Sequence, residues 1–501
     1  MTDLDFARDE RERWEPGADE IHRLGRRVAD LVTEHLAGLP ERPVFRPFPN
    51  ERALALLDEP LPEAGEAADV VLDRIAAEVM PFPFGNGHPR FAGWVNGPPV
   101  VLSVLVEALA AALDPSVAGG NHAATYVEHQ VLNWLKELIG FPRDGMALLV
   151  SGGSAATITA LAVARHRATE GRSRDAGLDQ RARPLITYAS EQGHSAIAKA
   201  VELLGLGADA LRRLPVDESW RLSPAGLEEA LERDRGLGCT PMAVVASAGT
   251  VNTGAIDPLA EIRAVCDRHD VWLHVDGAYG APAILDARYE PELAPLAQAD
   301  SVALDAHKWL YVPYDAGAVL VRDGALMRAT FSRVAAYLDV EADPDGVTWL
   351  PWFSEYGPEQ TRAFRALKLW AALRRHGKAG YARSISRDNR LADHLAELTA
   401  SQPGLELVAH NLSIVCLRCT PAGVPEGELD EHNRHVLRDV QLGGEAFVSG
   451  TVLGGRFVLR ACFINPRTTG ADVRRILAAI TEASARSAAP CRLGEPSPGG
   501  P

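Results

Sequence analysis

Between Gly145 and about Asp323, short apolar runs rich in β-branched residues alternate with longer stretches of helical periodicity. This alternation constrains the fold more than any other feature of the chain. Runs that are apolar on both faces belong inside a mainly parallel sheet, and the intervening helices cover it on both sides. The runs are 146–150, 185–188, 242–247, 271–275, 301–304 and 318–321, with helices such as 154–167 and 258–269 between them.

The flanks read differently. Residues 1–85 form a helical segment, with periodic stretches at 21–36 and 68–79 separated by PERPVFRPFP. Two or three helices without a sheet bury little by themselves, so this segment is expected to pack on another surface, such as a partner subunit. The large α/β domain is placed at 86–379. A long amphipathic helix at 362–375 and the glycine-bearing RRHGKAG mark a hinge into a small α+β domain at 380–485, with strands near 413–419 and 456–460. The Pro/Gly-rich tail, 486–501, is expected to be disordered.

A formal charge of -16 opposes binding to a phosphate backbone or an anionic lipid surface, and no basic patch overrides it. The charged start MTDLDFARDERERWEPG has no apolar h-region, and the apolar stretch 100–113 is too short for a bilayer and is broken by Glu107. A cytoplasmic protein that binds neither nucleic acid nor membrane is expected. Six scattered cysteines fit reduced thiols. Cys416 and Cys419 form the one CxxC, in the apolar run LSIVCLRC, where core packing is the better reading than zinc.

In an open α/β sheet, ligands gather at the strand ends, where loops are free to supply polar groups. The first run is followed by Ser151, Gly152, Gly153 and Ser154 opening a helix, and the second by EQGHS with His194. The third leads into AGTVNTG with Thr250, the fourth into Asp276, Gly277 and Ala278, and the fifth into Asp305, Ala306, His307 and Lys308. A glycine-serine loop at a helix start can hold phosphate, and serves equally as a plain turn. No Gly-Lys-Ser/Thr follows it, so nucleotide hydrolysis has no support. Asp276 closes an apolar strand and needs a partner there; a protonated pyridine nitrogen and a helix N-cap role both satisfy it. His194, His274 and His307 share no metal-ligand spacing, and His274 is expected to face the core. Lys308 sits at the end of a buried strand, where desolvation lowers an amine's pKa and makes it a nucleophile toward an aldehyde.

Taken together, HPRFAGW, YVEHQVLNWL, SGGSAAT, EQGHSA, WLHVDGAYG, LDAHKWLYVPYDAGAVLV and FRALKLW resemble the group II pyridoxal-phosphate-dependent decarboxylases, the family of aromatic-L-amino-acid decarboxylase. The resemblance covers most of residues 88–370, with a fainter echo in RFVLRACFINPRTT. It implies a fold of the aspartate-aminotransferase type (fold type I) and a homodimer with active sites at the subunit interface. It further implies that Lys308 carries pyridoxal 5'-phosphate covalently, that Asp276 pairs with the ring nitrogen, and that His194 and Ala278 cover the two ring faces. Gly153, Ser154 and His307 would hold the phosphate, with Thr250 beside the ring substituents. Asp305 stands where the animal enzymes carry asparagine near the phosphate; facing a dianion, it needs a proton or another partner. Tyr337, in AAYLDVEADPDG, falls where the family has the mobile-loop tyrosine that protonates the substrate's Cα.

Relatives that form aldehydes oxidatively typically lack this tyrosine, so its presence favours amine formation. Trp94 keeps one aromatic position of the substrate region, while Val95, Asn96 and Gly97 replace a more aromatic lining; an aromatic amino acid leads as the substrate. An aldehyde synthase, another lyase or aminotransferase on the same scaffold, and a non-catalytic binding protein are the alternatives.

Overall fold

The computed structural model describes residues 16–178, 183–333 and 350–488. Strand β1 (Phe91–Ala92) precedes a seven-stranded sheet built from β2 (Met146–Val150), β3 (Leu185–Ser190), β4 (Leu211–Leu214), β5 (Thr240–Ser247), β6 (Trp272–Asp276), β7 (Ser301–Asp305) and β8 (Gly317–Val321). Their order is β2-β8-β7-β6-β5-β3-β4, with only β8 antiparallel to its neighbours. The sequence reading of a mainly parallel sheet therefore holds. Five of its six apolar runs extend or shift by one or two residues, and β4, whose sequence is LRRL, is an addition.

Register fixes which residues meet at one edge. Ser247 pairs with Asp276 and Asp276 with Ala303, while Gly317 pairs with both Val150 and Asp305. Because β8 runs backwards, its first residue lies among the last residues of β2 and β7. All the strand-end loops singled out above thus open on the same side. The sheet is sealed by apolar residues of its strands and covering helices; Leu149, Val244, Val275, Leu304 and Val319 are buried.

A second sheet has the order β1-β11-β12-β10-β9, with β9 (Leu405–Asn411), β10 (Ile414–Cys419), β11 (Phe447–Leu453) and β12 (Arg456–Cys462). Here β1 pairs in parallel with β11, through Phe91 with Phe447 and Ala92 with Val448, so the chain just ahead of the large sheet is stitched into the small one. Cys416 and Cys419 are buried in β10, in accord with core packing. A single long helix, Ala366–Ser401, joins the two parts; at Gly377, inside the RRHGKAG stretch, its backbone departs to φ 62° and ψ 168°, a positive φ that suits glycine.

The N-terminal helices Ala18–Ala37 and Ala68–Arg74 are tied by Arg23 to Asp69 and by Arg27 to Asp69 and Asp73. Helix Ala18–Ala37 buries none of its residues within this chain. A further helix, Asn50–Asp58, follows the proline-rich stretch. No described helix is long and apolar enough to cross a membrane.

Candidate active site

The strand-end residues converge on one cavity of about 520 Å³. Its floor comes from β6 and β7, with Asp276, Ala278, Asp305, His307 and Lys308; its walls come from the Ser151–Ser154 turn, His194, Thr250 and Trp94. Tyr337 lies outside the described residues. Every other site residue expected from the sequence borders this space.

Helix Gly153–Ala168 opens at the cavity, and its first N–H groups have no intrahelical acceptor, so the positive end of a 16-residue helix is presented to whatever sits there. This cradle has no room for side chains. A Cβ on Gly153 would lie 2.9 Å from the Ala278 Cβ and 3.1 Å from Asp305 Oδ2; one on Gly317 would lie 2.4 Å from the Gly152 Cα. Glycine at 317, which the sequence reading did not single out, is thus what lets β2, β7 and β8 close on one another at Gly152.

Asp305 is buried beneath the cradle. Its Oδ2 is 2.8 Å from Lys308 Nζ and 3.6 Å from His307 Nε2, while its Oδ1 is buried without a partner. The partner that Asp305 was expected to need is therefore Lys308. This corrects the expected direction for the lysine. Burial does work against the ammonium, but the attraction and hydrogen bond of Asp305 outweigh it, and the Lys308 pKa is raised. His307 goes down, because burial outweighs the pull of Asp305; its Nδ1 accepts from the Ala316 N–H at 3.1 Å, which orients Nε2 toward the carboxylate.

Asp276 Oδ1 accepts from the Ala278 N–H at 3.1 Å, closing an Asx turn, and Asp276 borders the cavity. The next helical turn, Ala281–Leu285, is preceded by Gly280, so Asp276 caps no helix and the N-cap alternative does not hold. His194 Nδ1 accepts from the Ala196 N–H at 3.1 Å; desolvation lowers its pKa against the pull of Asp276. Thr250 sits in a turn fixed by buried Asp257, whose carboxylate accepts from the N–H groups of Ser247 and Leu222, each at 2.7 Å. His274 does face the core: it is buried, with Nδ1 2.9 Å from Ser301 Oγ.

Trp94 is 44% exposed and adopts φ 45°, packing on Phe84 and Phe447 while bordering the cavity. Folding adds one further lining residue, Tyr314, beside Asn96 of the expected substrate stretch. Tyr314 packs on the His307 ring at 4.8 Å and donates its hydroxyl to Asn96 Oδ1 at 3.1 Å. Its loop is pinned by Lys368, which reaches the Tyr314 carbonyl at 3.3 Å and Glu107 at 2.9 Å, and by Arg365, which donates to Asp315 at 3.1 Å.

An anion cradle, an amine and a strand-end carboxylate suit a flat phosphorylated aldehyde that carries a basic ring nitrogen. Pyridoxal 5'-phosphate has those three features, and the orphaned Asp305 oxygen and the side-chain-free cradle show where room and polarity for it exist. Site and sheet together define a pyridoxal-phosphate enzyme of fold type I. Residues 49–420 match the model of the pyridoxal-dependent decarboxylase conserved domain. The aromatic-L-amino-acid decarboxylase of Bacillus atrophaeus is 34% identical over 468 residues, covering 92% of this chain and 95% of its own. The phenylacetaldehyde synthase of Arabidopsis thaliana is 28% identical over 480 residues, covering 93% and 96%. The crystal structure of Oryza sativa TDC with PLP and tryptamine superposes with a TM-score of 0.88 at 26% identity, covering 95% of this chain and 99% of that one. The chain belongs to the pyridoxal-dependent decarboxylases, lyases that act on amino acids with pyridoxal 5'-phosphate as cofactor.

Proposed function

We propose that this chain decarboxylates an L-amino acid with an aromatic side chain and releases the corresponding amine. The observation that carries the reading is the convergence of Lys308, Asp276 and His194 on a single cavity whose outer wall is aromatic. The 34% identity to an aromatic-L-amino-acid decarboxylase supports the substrate class.

Bound pyridoxal 5'-phosphate supplies a protonated ring that draws off the electron pair left behind as carbon dioxide departs. Lys308 is the residue that holds it covalently. The free N–H groups at Gly153 and Ser154, with His307, hold the phosphate, and Thr250 lies beside the ring. Asp276 keeps a proton on the ring nitrogen, because its negative charge favours the cationic form. His194 and Ala278 would flank the bound ring, and His194 would orient the substrate carboxylate. Asp305 holds the Lys308 ammonium at 2.8 Å. Trp94 and Tyr314 contact the substrate side chain, and Tyr337 delivers a proton to Cα.

The helix Ala18–Ala37, none of whose residues is fully buried, and the exposed apolar residues Leu102, Leu105, Leu109 and Leu113 of helix Val101–Leu113 support a homodimer in which a second copy covers these faces.

The test is a mass-spectrometric screen of the common amino acids for loss of carbon dioxide, with Lys308→Ala as the blank. Aromatic substrates giving amine without oxygen uptake are expected. Ammonia and peroxide among the products would instead assign the aldehyde-forming reaction, the activity named for the Arabidopsis relative. Borohydride reduction followed by peptide mapping must place the cofactor on Lys308; a label elsewhere overturns the reading.

A further inference from the structure

Three consecutive residues after Lys308 are gripped by one face of the long helix Ala366–Ser401. Tyr381 donates its hydroxyl to the Leu310 carbonyl at 2.9 Å, and Ser384 donates to the Tyr311 hydroxyl at 3.2 Å. One turn further on, Asp388 Oδ2 accepts from both the Tyr311 hydroxyl at 2.6 Å and the Trp309 indole N–H at 3.1 Å. Positions 381, 384 and 388 follow the spacing of a single helical stripe, so the grip is continuous. Asp388 is fully buried, and its Oδ1 accepts from Arg387 at 3.0 Å. The same guanidinium donates to the carbonyls of Pro466 at 2.9 Å and Asn465 at 3.1 Å, in the loop after β12.

The grip reaches the other side of the site as well. The Trp309 ring stacks on Tyr279, with centroids 4.9 Å apart and planes 9° from parallel, and Tyr279 is three residues beyond Asp276. The Tyr279 hydroxyl is 2.6 Å from Ser413 Oγ and accepts from the Ser413 N–H at 3.1 Å, just ahead of β10. Burying a carboxylate here is costly, and an apolar side chain would fill the space at lower cost; what only the carboxylate offers is a fixed direction for two donors that flank the lysine turn.

We propose that Asp388 is a positioning residue that, through Trp309 and Tyr311, sets the angle at which Lys308 presents its amine and ties that angle to the small sheet. The inference rests on the assignment of Lys308 as the cofactor-bearing residue. Asp388 touches neither cofactor nor substrate; it acts through the turn that carries the amine.

The experiment compares holoenzyme variants D388A, D388N, Y311F and W309F by the visible circular dichroism of the bound cofactor, which reports the asymmetry of its seat, alongside kcat, KM and melting temperature. Mapping the borohydride label in the unaltered enzyme comes first: a label absent from Lys308 defeats the functional reading itself. With the label in place, D388A and Y311F are expected to lose at least about half of the visible band and about tenfold or more in kcat, with KM within roughly threefold. D388N, whose amide oxygen still accepts from Tyr311 and Trp309, should fall between them and the parent. A visible band and kcat within about twofold of the parent in D388A and Y311F, whatever their melting temperatures, would overturn the proposal. If D388A does not fold, Y311F and W309F decide, each removing one of the two donors to Asp388; parental values in both also overturn it.

Discussion

Arg362 and Glu128 form an ion pair in which neither side chain reaches solvent, and its removal has a cost that can be worked out. Arg362 donates to Glu128 Oε1 at 2.6 Å, to the Leu149 carbonyl at 2.6 Å and to the Val117 carbonyl at 2.8 Å, and its guanidinium lies 4.9 Å from the Phe353 ring centre. It thereby holds the chain ahead of the long helix against the end of β2, where the cradle begins. In Arg362→Met two carbonyls lose a donor, at about 1 kcal/mol each, and some cation–π attraction goes as well, for roughly 3 kcal/mol together. Glu128 is then a buried carboxylate left with only the Leu149 backbone and the more distant charge of Arg365 to oppose desolvation, which already pushes its pKa above the ordinary 4.5. Its escape is to take up a proton, which costs about 3.4 kcal/mol at about pH 7 and about 1.4 at about pH 5.5. The sign follows: a raised carboxyl pKa gives stability at low pH that is lost as pH rises. Because Glu128 of the parent, itself raised, already carries part of that cost, the variant should be down by at most roughly 6 kcal/mol at neutral pH and at most roughly 4 at about pH 5.5, relative to the parent at the same pH. At about 2.1 cal/mol/K per residue, 501 residues give an unfolding entropy near ~1 kcal/mol/K, so the two deficits read as at most about 6 °C and about 4 °C. Scanning calorimetry at a fixed scan rate measures both. Adding Glu128→Gln removes the need for the proton, so the double variant should recover about 2–3 °C at neutral pH and lose its pH dependence. A single variant with no pH-dependent deficit, or a double variant as unstable as the two singles summed, would show that the charge of Glu128 is not what the arginine offsets.

Two further outcomes follow from the site and the core. In Gly317→Ala the new Cβ would sit 2.4 Å from the Gly152 Cα and 2.7 Å from Asp305 Oδ1, so the cradle must move by about 1 Å; cofactor affinity, read by titrating apoenzyme in absorbance, should fall roughly tenfold, and parental affinity would refute the close-packing argument. Burial holds the His88, His129 and His274 rings down at about 4, so they stay neutral in the fold while unfolded rings take up protons, and the stability they give above about pH 6.5 is lost as pH falls toward 4. Asp257 and Asp388, raised to about 6 by burial, and Glu128, raised likewise, act in the opposite sense, but the lowered rings, which also include His194, His307 and His410, outnumber them. The melting temperature should therefore drop on acidification through this window, and a flat or rising profile would contradict the burial of these rings.

Much of this was legible in the sequence because a parallel sheet writes itself as uninterrupted apolar runs, and the polar residues that interrupt them mark its functional edge. Asp276 and Lys308 stood out for that reason. Strand β4 was missed because LRRL, at the sheet's edge, carries charge like a surface turn, and β1 because two residues make no period. Tyr314 is an ordinary loop residue until folding brings it within hydrogen-bonding reach of Asn96, 218 positions earlier. The charge state of Lys308 was misjudged by weighing burial alone, although the spacing Asp305 to Lys308 already places a carboxylate one turn before the amine. Arg362, Glu128 and Asp388 illustrate a different limit: a charged residue in a stretch that reads as an amphipathic helix looks solvated in the sequence, and only the packing of another element against it reveals that it is enclosed, while Arg362 itself lies ahead of the helix that starts at Ala366.

The long helix beyond Gly377 works as a ruler. From Tyr381 to Asp388 its rise and pitch decide where three donors and acceptors fall along the neighbouring turn, while Lys368, ahead of the break, steadies the loop at Tyr314. One residue added between Ser384 and Asp388 would swing the carboxylate by about 100° and advance it by about 1.5 Å, leaving the Trp309 and Tyr311 donors facing hydrocarbon. Surface loops of this chain are free to lengthen, but this stretch is not; the reacting amine inherits its tolerance from a piece of chain some eighty positions away.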